Sequence, residues 1–143
     1  MHLTRAKVSK KWPIPRKGTK YVARPFRDIN SGVSVVVAIR DMLKLAKTSR
    51  EVKHMVHNKL IKINDKTVGD IKECVRLFDI MDSDKRYKLI VLPTGRFNFE
   101  ESKNDFILSK VLNKRLVKSG KIQLNLYNGE NVISDKKINV GDS

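Results

Sequence analysis

Residues 1–27, "MHLTRAKVSKKWPIPRKGTKYVARPFR", carry nine Lys/Arg and no acid; the first carboxylate is Asp28. Pro13, Pro15, Pro25 and Gly18 interrupt any helical or strand period in the stretch. Such a segment cannot bury enough apolar area to fold alone. Trp12, Tyr21 and Phe26 are interleaved with the cations. A solvated tail is one reading. Three large aromatics favour another, an extension ordered along RNA, with cations on phosphates and aromatics on bases or on a neighbouring protein.

The rest of the chain shares this bias. Its 143 residues hold 31 Lys+Arg against 15 Asp+Glu, a net charge of +16. Residues 1–70 contribute 17 basic and 5 acidic residues, net +12, and residues 71–143 contribute 14 and 10, net +4. Self-repulsion on this scale calls for a polyanionic partner against the first half. Nucleic acid is the default and an acidic membrane surface the weaker choice. No apolar run approaches the roughly 18 residues that span a bilayer, and the basic N-terminus lacks the apolar stretch of a secretory signal. Cys74, the single cysteine, forbids an internal disulfide. A soluble, cytoplasmic protein is expected.

Periodicity then supplies the elements. "SVVVAIRDMLKLAK" places Val35, Ala38, Ile39, Met42, Leu43 and Leu45 near helical spacing, with Ser34 as N-cap, although Val35–Val37 also has strand character. "TSRE" is a capping box: the Thr48 hydroxyl accepts from the Glu51 amide, and the Glu51 carboxylate reaches back to the Thr48 amide. The helix it opens turns Val52, Met55 and Val56 inward. Asn64-Asp65 suits a tight type I′ turn between two short strands. Leu60 and Ile61 anchor the first arm, and Lys62 and Lys66 stand on one face.

Beyond this hairpin the pattern is β. "VRLFDIM" reads as one strand, "YKLIVL" as a second after the "DSDK" turn, and "FNF" as the start of a third after "PTGR". The polar stretch 100–105 is compatible with a turn of helix, and "FILSKVLNKRLV" with helix or strand. "KIQLNLY" alternates cleanly into Asn128-Gly129, a hairpin signal, with "ENVI" returning. The expected fold is α+β: a basic extended arm (1–30), a two-helix plus hairpin module with associated strands (31–98), and antiparallel strands in a β-rich C-terminal segment (99–143).

Chemistry-bearing residues do not converge on catalysis. His54 and His57 stand at i, i+3 and could share a zinc, but neither His2 nor Cys74 is spaced to complete the ligand set. Cys74 sits in an apolar strand as a structural thiol. Asp79, Asp82 and Asp84 flank a turn as solvated residues. No glycine loop of a phosphate-cradling kind is present. No enzyme, cofactor, metal or small-molecule substrate is expected.

What remains is a basic grip. The helix starting at Ser49 presents its amides and dipole to an anion, with Lys47, Ser49, Arg50 and Lys53 around that start. Lys59, Lys62 and Lys66 edge the hairpin beyond. Contacts to phosphates and 2′-hydroxyls would read shape more than sequence.

The stretch "AKTSREVKHMVHNKLIKINDKTV" resembles the RNA-binding module shared by ribosomal protein S-four, certain pseudouridine synthases, tyrosyl-tRNA synthetases and a heat-shock RNA binder. The shared features are Ser49 and Arg50 at the helix start, apolar Val52 and Val56, and the hairpin "LIKINDKTV". The extension, with its His2-Leu3, Lys11-Trp12-Pro13 and Arg24-Pro25 elements, looks like that of the small-subunit ribosomal family S-four-e of archaea and eukaryotes. "FDIMDSDKRYKLIVLPTGRF" is similar to the segment that follows the module there.

This resemblance implies a structural constituent of the small ribosomal subunit, ribosome-associated, with rRNA and neighbouring ribosomal proteins as partners and no membrane. It assigns backbone contacts to Lys47, Ser49, Arg50, Lys53, Lys62 and Lys66. Extension contacts fall to Arg5, Lys7, Lys10, Lys11, Trp12, Arg16, Lys17, Lys20, Arg24 and Arg27. It also implies a small β-barrel after "KKINVGDS", which this sequence does not contain. Two other functions use the same module: a free-standing factor that rescues ribosomes or chaperones RNA, and a delivery subunit of an RNA-modifying enzyme.

Overall fold

The computed structural model describes residues 2–27, 29–103, 106–117, 120–136 and 138–143. The chain forms two compact units, Met1–Asp105 and Phe106–Ser143.

In the first unit the N-terminal segment is folded back onto the core. Strand β1 (Leu3–Thr4) pairs antiparallel with β2 (Tyr21–Val22), with a single 3-10 turn at Arg5–Lys7 after β1. Leu3 and Trp12 are buried at 4% and 3% exposure. The Trp12 indole donates to the carbonyls of Gly32 (3.1 Å) and Ile29 (3.2 Å). The extension is not a solvated tail: Leu3 and Trp12 place it in the core of the unit behind it.

Strand β3 (Gly32–Ser34) leads into α1 (Val35–Val37), which continues as a π-helical turn over Ala38–Met42. The Leu43 amide bonds back to the Ala38 carbonyl, five residues earlier, as a π-turn requires. The three valines are therefore helical. Ser34 occupies the N-cap position, but its hydroxyl donates to the Ala23 carbonyl (3.2 Å) and makes no cap bond. Helix α2 (Ser49–His57) follows, its Val52 and Val56 buried. It ends in a Schellman arrangement, Lys59 amide to Val56 carbonyl and Leu60 amide to Met55 carbonyl, with Lys59 at φ 57° where glycine is usual.

Strands β4 (Lys62–Ile63) and β5 (Lys66–Thr67) form the expected hairpin, and both turn residues have positive φ, 50° at Asn64 and 64° at Asp65. These are the backbone values of a type I′ turn. Ile61 is fully buried, whereas Leu60 is 55% exposed and anchors nothing. The hairpin is one end of a five-stranded sheet ordered β5-β4-β7-β8-β9, with β7 (Ile80–Asp82), β8 (Arg86–Val91) and β9 (Phe97–Glu101).

"VRLFDIM" is not one strand. Its first part belongs to β6 (Cys74–Arg76), which pairs with β3, and its last part to β7 in the other sheet. Between them Phe78 adopts φ 68°. The Phe78 amide bonds to the Leu89 carbonyl and the Leu89 amide to the Asp79 carbonyl, so two residues oppose one, a bulge whose left-handed position is normally glycine. Asp79 is 5% exposed rather than solvated. Its carboxylate accepts from the Arg76 amide (2.8 Å) and from the Asn64 side chain (2.8 Å), tying the bulge to the hairpin turn. Glu100 and Glu101 extend β9 and are not helical; positions 104–105 lie outside the described residues.

In the second unit β10 (Val111–Leu116), β11 (Ile122–Leu126) and β12 (Asn131–Ser134) form an antiparallel meander, so the ambiguous "FILSKVLNKRLV" is strand over 111–116 and neither helix nor strand over 106–110. Gly129, at φ 84°, closes the β11–β12 turn. Leu116, Ile122, Leu124 and Val132 share one sheet face by register, with Leu124 buried at 3%.

Candidate nucleic-acid interface

Helix α2 presents a regular polar face that carries two cations. Its inward residues Val52, Met55 and Val56 stand at i, i+3 and i+4. On the opposite side Arg50, Lys53, His54 and His57 make an i, i+3, i+4, i+7 stripe, all exposed. The capping box orients this stripe. Thr48 Oγ1 accepts from the Glu51 amide at 3.2 Å, as the sequence predicts. The return bond goes one residue further back than expected, with Glu51 Oε2 accepting from the Lys47 amide at 2.8 Å. That amide bond, with a second contribution from the Thr48 hydroxyl, holds the Glu51 carboxyl below its usual range.

The start of α2 also gains a residue that periodicity did not single out. Arg40, on the π-turn, forks onto Asp41 (2.8 and 2.7 Å) and donates from Nη1 to the Ser49 hydroxyl at 2.9 Å. The hydrogen bonds to Asp41 raise the guanidinium pKa further, and its charge stays beside the positive end of the helix dipole. An arginine on the polar side of the first predicted helix was the available signal. Leu45, Ala46, Thr48, Arg50, Glu51, His54 and Met55 line an open groove along this flank.

The predicted cations around α2 and the hairpin, Lys47, Arg50, Lys53, Lys59, Lys62 and Lys66, are exposed, as is Ser49. The hairpin pair needs a correction. Lys62 lies opposite Thr67 and Ile63 opposite Lys66. Directly opposed residues share a face and adjacent ones do not, so Lys62 and Lys66 point to opposite faces of the hairpin.

In the extension Lys7, Lys10, Lys11, Arg16, Lys17, Lys20 and Arg27 are exposed and Arg24 is half-buried. Two predicted contacts change character. Trp12 is in the core and cannot meet a base. Arg5 spends its guanidinium on the 15–19 loop, donating to the carbonyls of Pro15 (2.6 Å) and Thr19 (2.8 Å) and to the Thr19 hydroxyl (2.9 Å). It shapes the basic surface from within.

Asn58 Nδ2 lies 3.2 Å from His54 Nδ1, a helix-end contact. Among the described residues no three His, Cys, Asp or Glu side chains gather in a metal-binding arrangement, and no helix is long and apolar enough to cross a membrane.

Comparison with known proteins matches this architecture to one family. Residues 83–143 match the family described as Ribosomal family S4e. The chain is 34% identical to the small ribosomal subunit protein eS4 of Methanospirillum hungatei JF-1, over 99% of this chain and 62% of that protein. It is 31% identical to the protein of the same name from Methanocella arvoryzae, over 99% of this chain and 64% of that protein. The crystal structure of the 30S ribosomal protein S4e from Thermoplasma acidophilum superposes with a TM-score of 0.61 at 29% identity, over 77% of this chain and 60% of that one. The chain thus spans a little under two thirds of the length of these curated relatives. These likenesses are all to the S4e family of ribosomal proteins.

Proposed function

We propose that the protein is a structural constituent of the small ribosomal subunit, bound to small-subunit rRNA and seated among neighbouring ribosomal proteins, with no catalytic task. The carrying observation is the Arg50–Lys53–His54–His57 stripe on α2, opposite a fully buried Val52 and behind a capped N-terminus. Helix α2, the preceding helical turns and the β4–β5 hairpin act as an RNA-binding module within residues 31–98, and the acid-free extension supplies a second run of phosphate contacts. The names of the relatives support the assignment to the small subunit.

A backbone-reading surface of this kind neutralises several phosphates, so affinity should fall steeply with salt. The test is sedimentation of a lysate of the source cells. Stoichiometric protein in salt-washed small subunits is the expected result. Recovery only in the salt wash or the free fraction would overturn it in favour of a free-standing RNA-binding factor.

A further inference from the structure

With Trp12 withdrawn into the core, the extension keeps one large aromatic set in a defined polar frame. Tyr21 is 52% exposed although it sits in a strand, opposite Thr4 in the β1–β2 pair. The His2 ring lies beside it, centroids 5.4 Å apart and planes inclined at 48°. The two rings therefore form an open wedge, not a closed stack. Lys20 Nζ stands 5.5 Å from the Tyr21 ring centroid.

The surroundings are fixed from three sides. The Arg5 amide bonds to the Lys20 carbonyl at 2.9 Å, the Arg5 side chain holds Thr19 and Pro15, and the Thr19 hydroxyl donates to the Tyr21 carbonyl at 3.1 Å. The backbone that carries the ring is held firmly, yet the ring itself is left half in solvent and adds little to the core. By contrast Tyr87, a tyrosine that does pack, is 8% exposed, with its hydroxyl on Asp84.

We infer that Tyr21, flanked by His2 and Lys20, is a stacking site for an unpaired nucleotide of a single-stranded RNA segment. This rests on the RNA-binding reading above and adds to it a base contact where the rest of the surface meets phosphates. The choice of a nucleotide follows from the local chemistry. Residues 2–27 offer cations and no carboxylate, and a nucleotide supplies both the phosphate those cations need and a π face for the ring. A ring carried on a preorganised backbone pays less ordering entropy on binding.

The test uses the full chain and a short labelled single-stranded oligoribonucleotide, titrated by fluorescence anisotropy over a salt series. A matched strand with abasic riboses keeps the phosphates and lacks the bases. Removing a stacking aromatic costs roughly 5- to 150-fold in affinity. Tyr21→Ala and the strand-compatible Tyr21→Val should both show a loss in that range, with the salt slope unchanged. Tyr21→Phe should bind like the parent, and all four proteins should bind the abasic strand equally. Undiminished binding of the natural strand by Tyr21→Ala and Tyr21→Val would overturn the inference and leave the ring to a protein neighbour. An equal loss on the abasic strand would overturn it too. If the parent binds neither strand with any salt dependence, the RNA-binding reading fails along with it, a result distinct from either of these.

Discussion

Trp12 donates its indole N–H to the carbonyl of Gly32 at 3.1 Å, joining the basic extension to the first strand of the core. The site tolerates no added bulk: a Cβ at Gly32 would lie 2.2 Å from the Val75 carbonyl oxygen and 2.9 Å from Cys74 Sγ. The absence of a side chain at Gly32 lets β3 approach β6, and the same residue offers its carbonyl to the indole. The extension is therefore part of the fold, although it lacks the composition to fold alone.

Trp12→Ala should destabilise the protein by about 3–5 kcal/mol, the usual cost of emptying a buried aromatic site. Trp12→Phe should cost about 1–3 kcal/mol, because the Gly32 and Ile29 carbonyls lose their donor. Urea midpoints measure both. RNA affinity of the folded variants should match the parent. A variant with lost affinity and unchanged stability would return the indole to the proposed RNA surface.

The local features were the legible ones. The Thr48–Glu51 box, the inward stripe of α2 and the Asn64-Asp65 turn each depend on residues within a few positions of one another, where residue type decides backbone geometry. The features that misled depend on distant partners. Nothing near Phe78 announces a bulge, since glycine is the usual occupant; the left-handed backbone goes with the bonds that Phe78 and Asp79 share with Leu89 across the sheet. Asp79 looked solvated because its partner Asn64 is fifteen positions away. Trp12 looked like a base-stacking residue because its pocket is built by residues that follow it. Of the interface, the stripe on α2 follows from helical period alone, while Arg40 and Tyr21 needed tertiary placement.

Asn64 joins the β4–β5 turn to the start of the neighbouring strand β7. Its side chain donates to Asp79 (2.8 Å) and accepts from the Ile80 amide (2.9 Å), while its backbone holds φ 50°. Asn64→Ala loses both bonds and retains the left-handed strain, so a loss of about 1–3 kcal/mol is expected. Asn64→Gly loses the same bonds but relieves roughly 1 kcal/mol of strain, and should lie between Ala and the parent. Thermal or urea unfolding ranks the three. Equal stability of the Ala variant and the parent would show the Asp79 bond to be dispensable.

The cap on α2 should titrate. Glu51 has a folded pKa below its unfolded value of 4.5, chiefly through the Lys47 amide. Its contribution is therefore complete above about that pH and is lost as pH falls through the lower folded value. The Lys47 amide proton should follow this titration in an NMR pH series, with a midpoint below 4.5. In Glu51→Gln that titration should be absent. A midpoint at or above the unfolded value in the parent would contradict the bond.

The hairpin offers a directional test of the proposed RNA surface, because Lys62 and Lys66 project from opposite faces of β4–β5. A duplex or folded RNA backbone lying on one side can reach only one of them. Each phosphate contact removed lowers the salt slope by about one. Lys62→Glu and Lys66→Glu should therefore differ: one should weaken small-subunit rRNA binding and lower the slope by about one, while the other leaves the slope unchanged. The double variant should lower the slope by about one, not two. Measuring affinity across a salt series for the three variants identifies the RNA-facing side. A drop of about two in the double variant would mean that RNA wraps both faces, and no drop at all would turn the hairpin away from RNA and leave the grip to α2 and the extension.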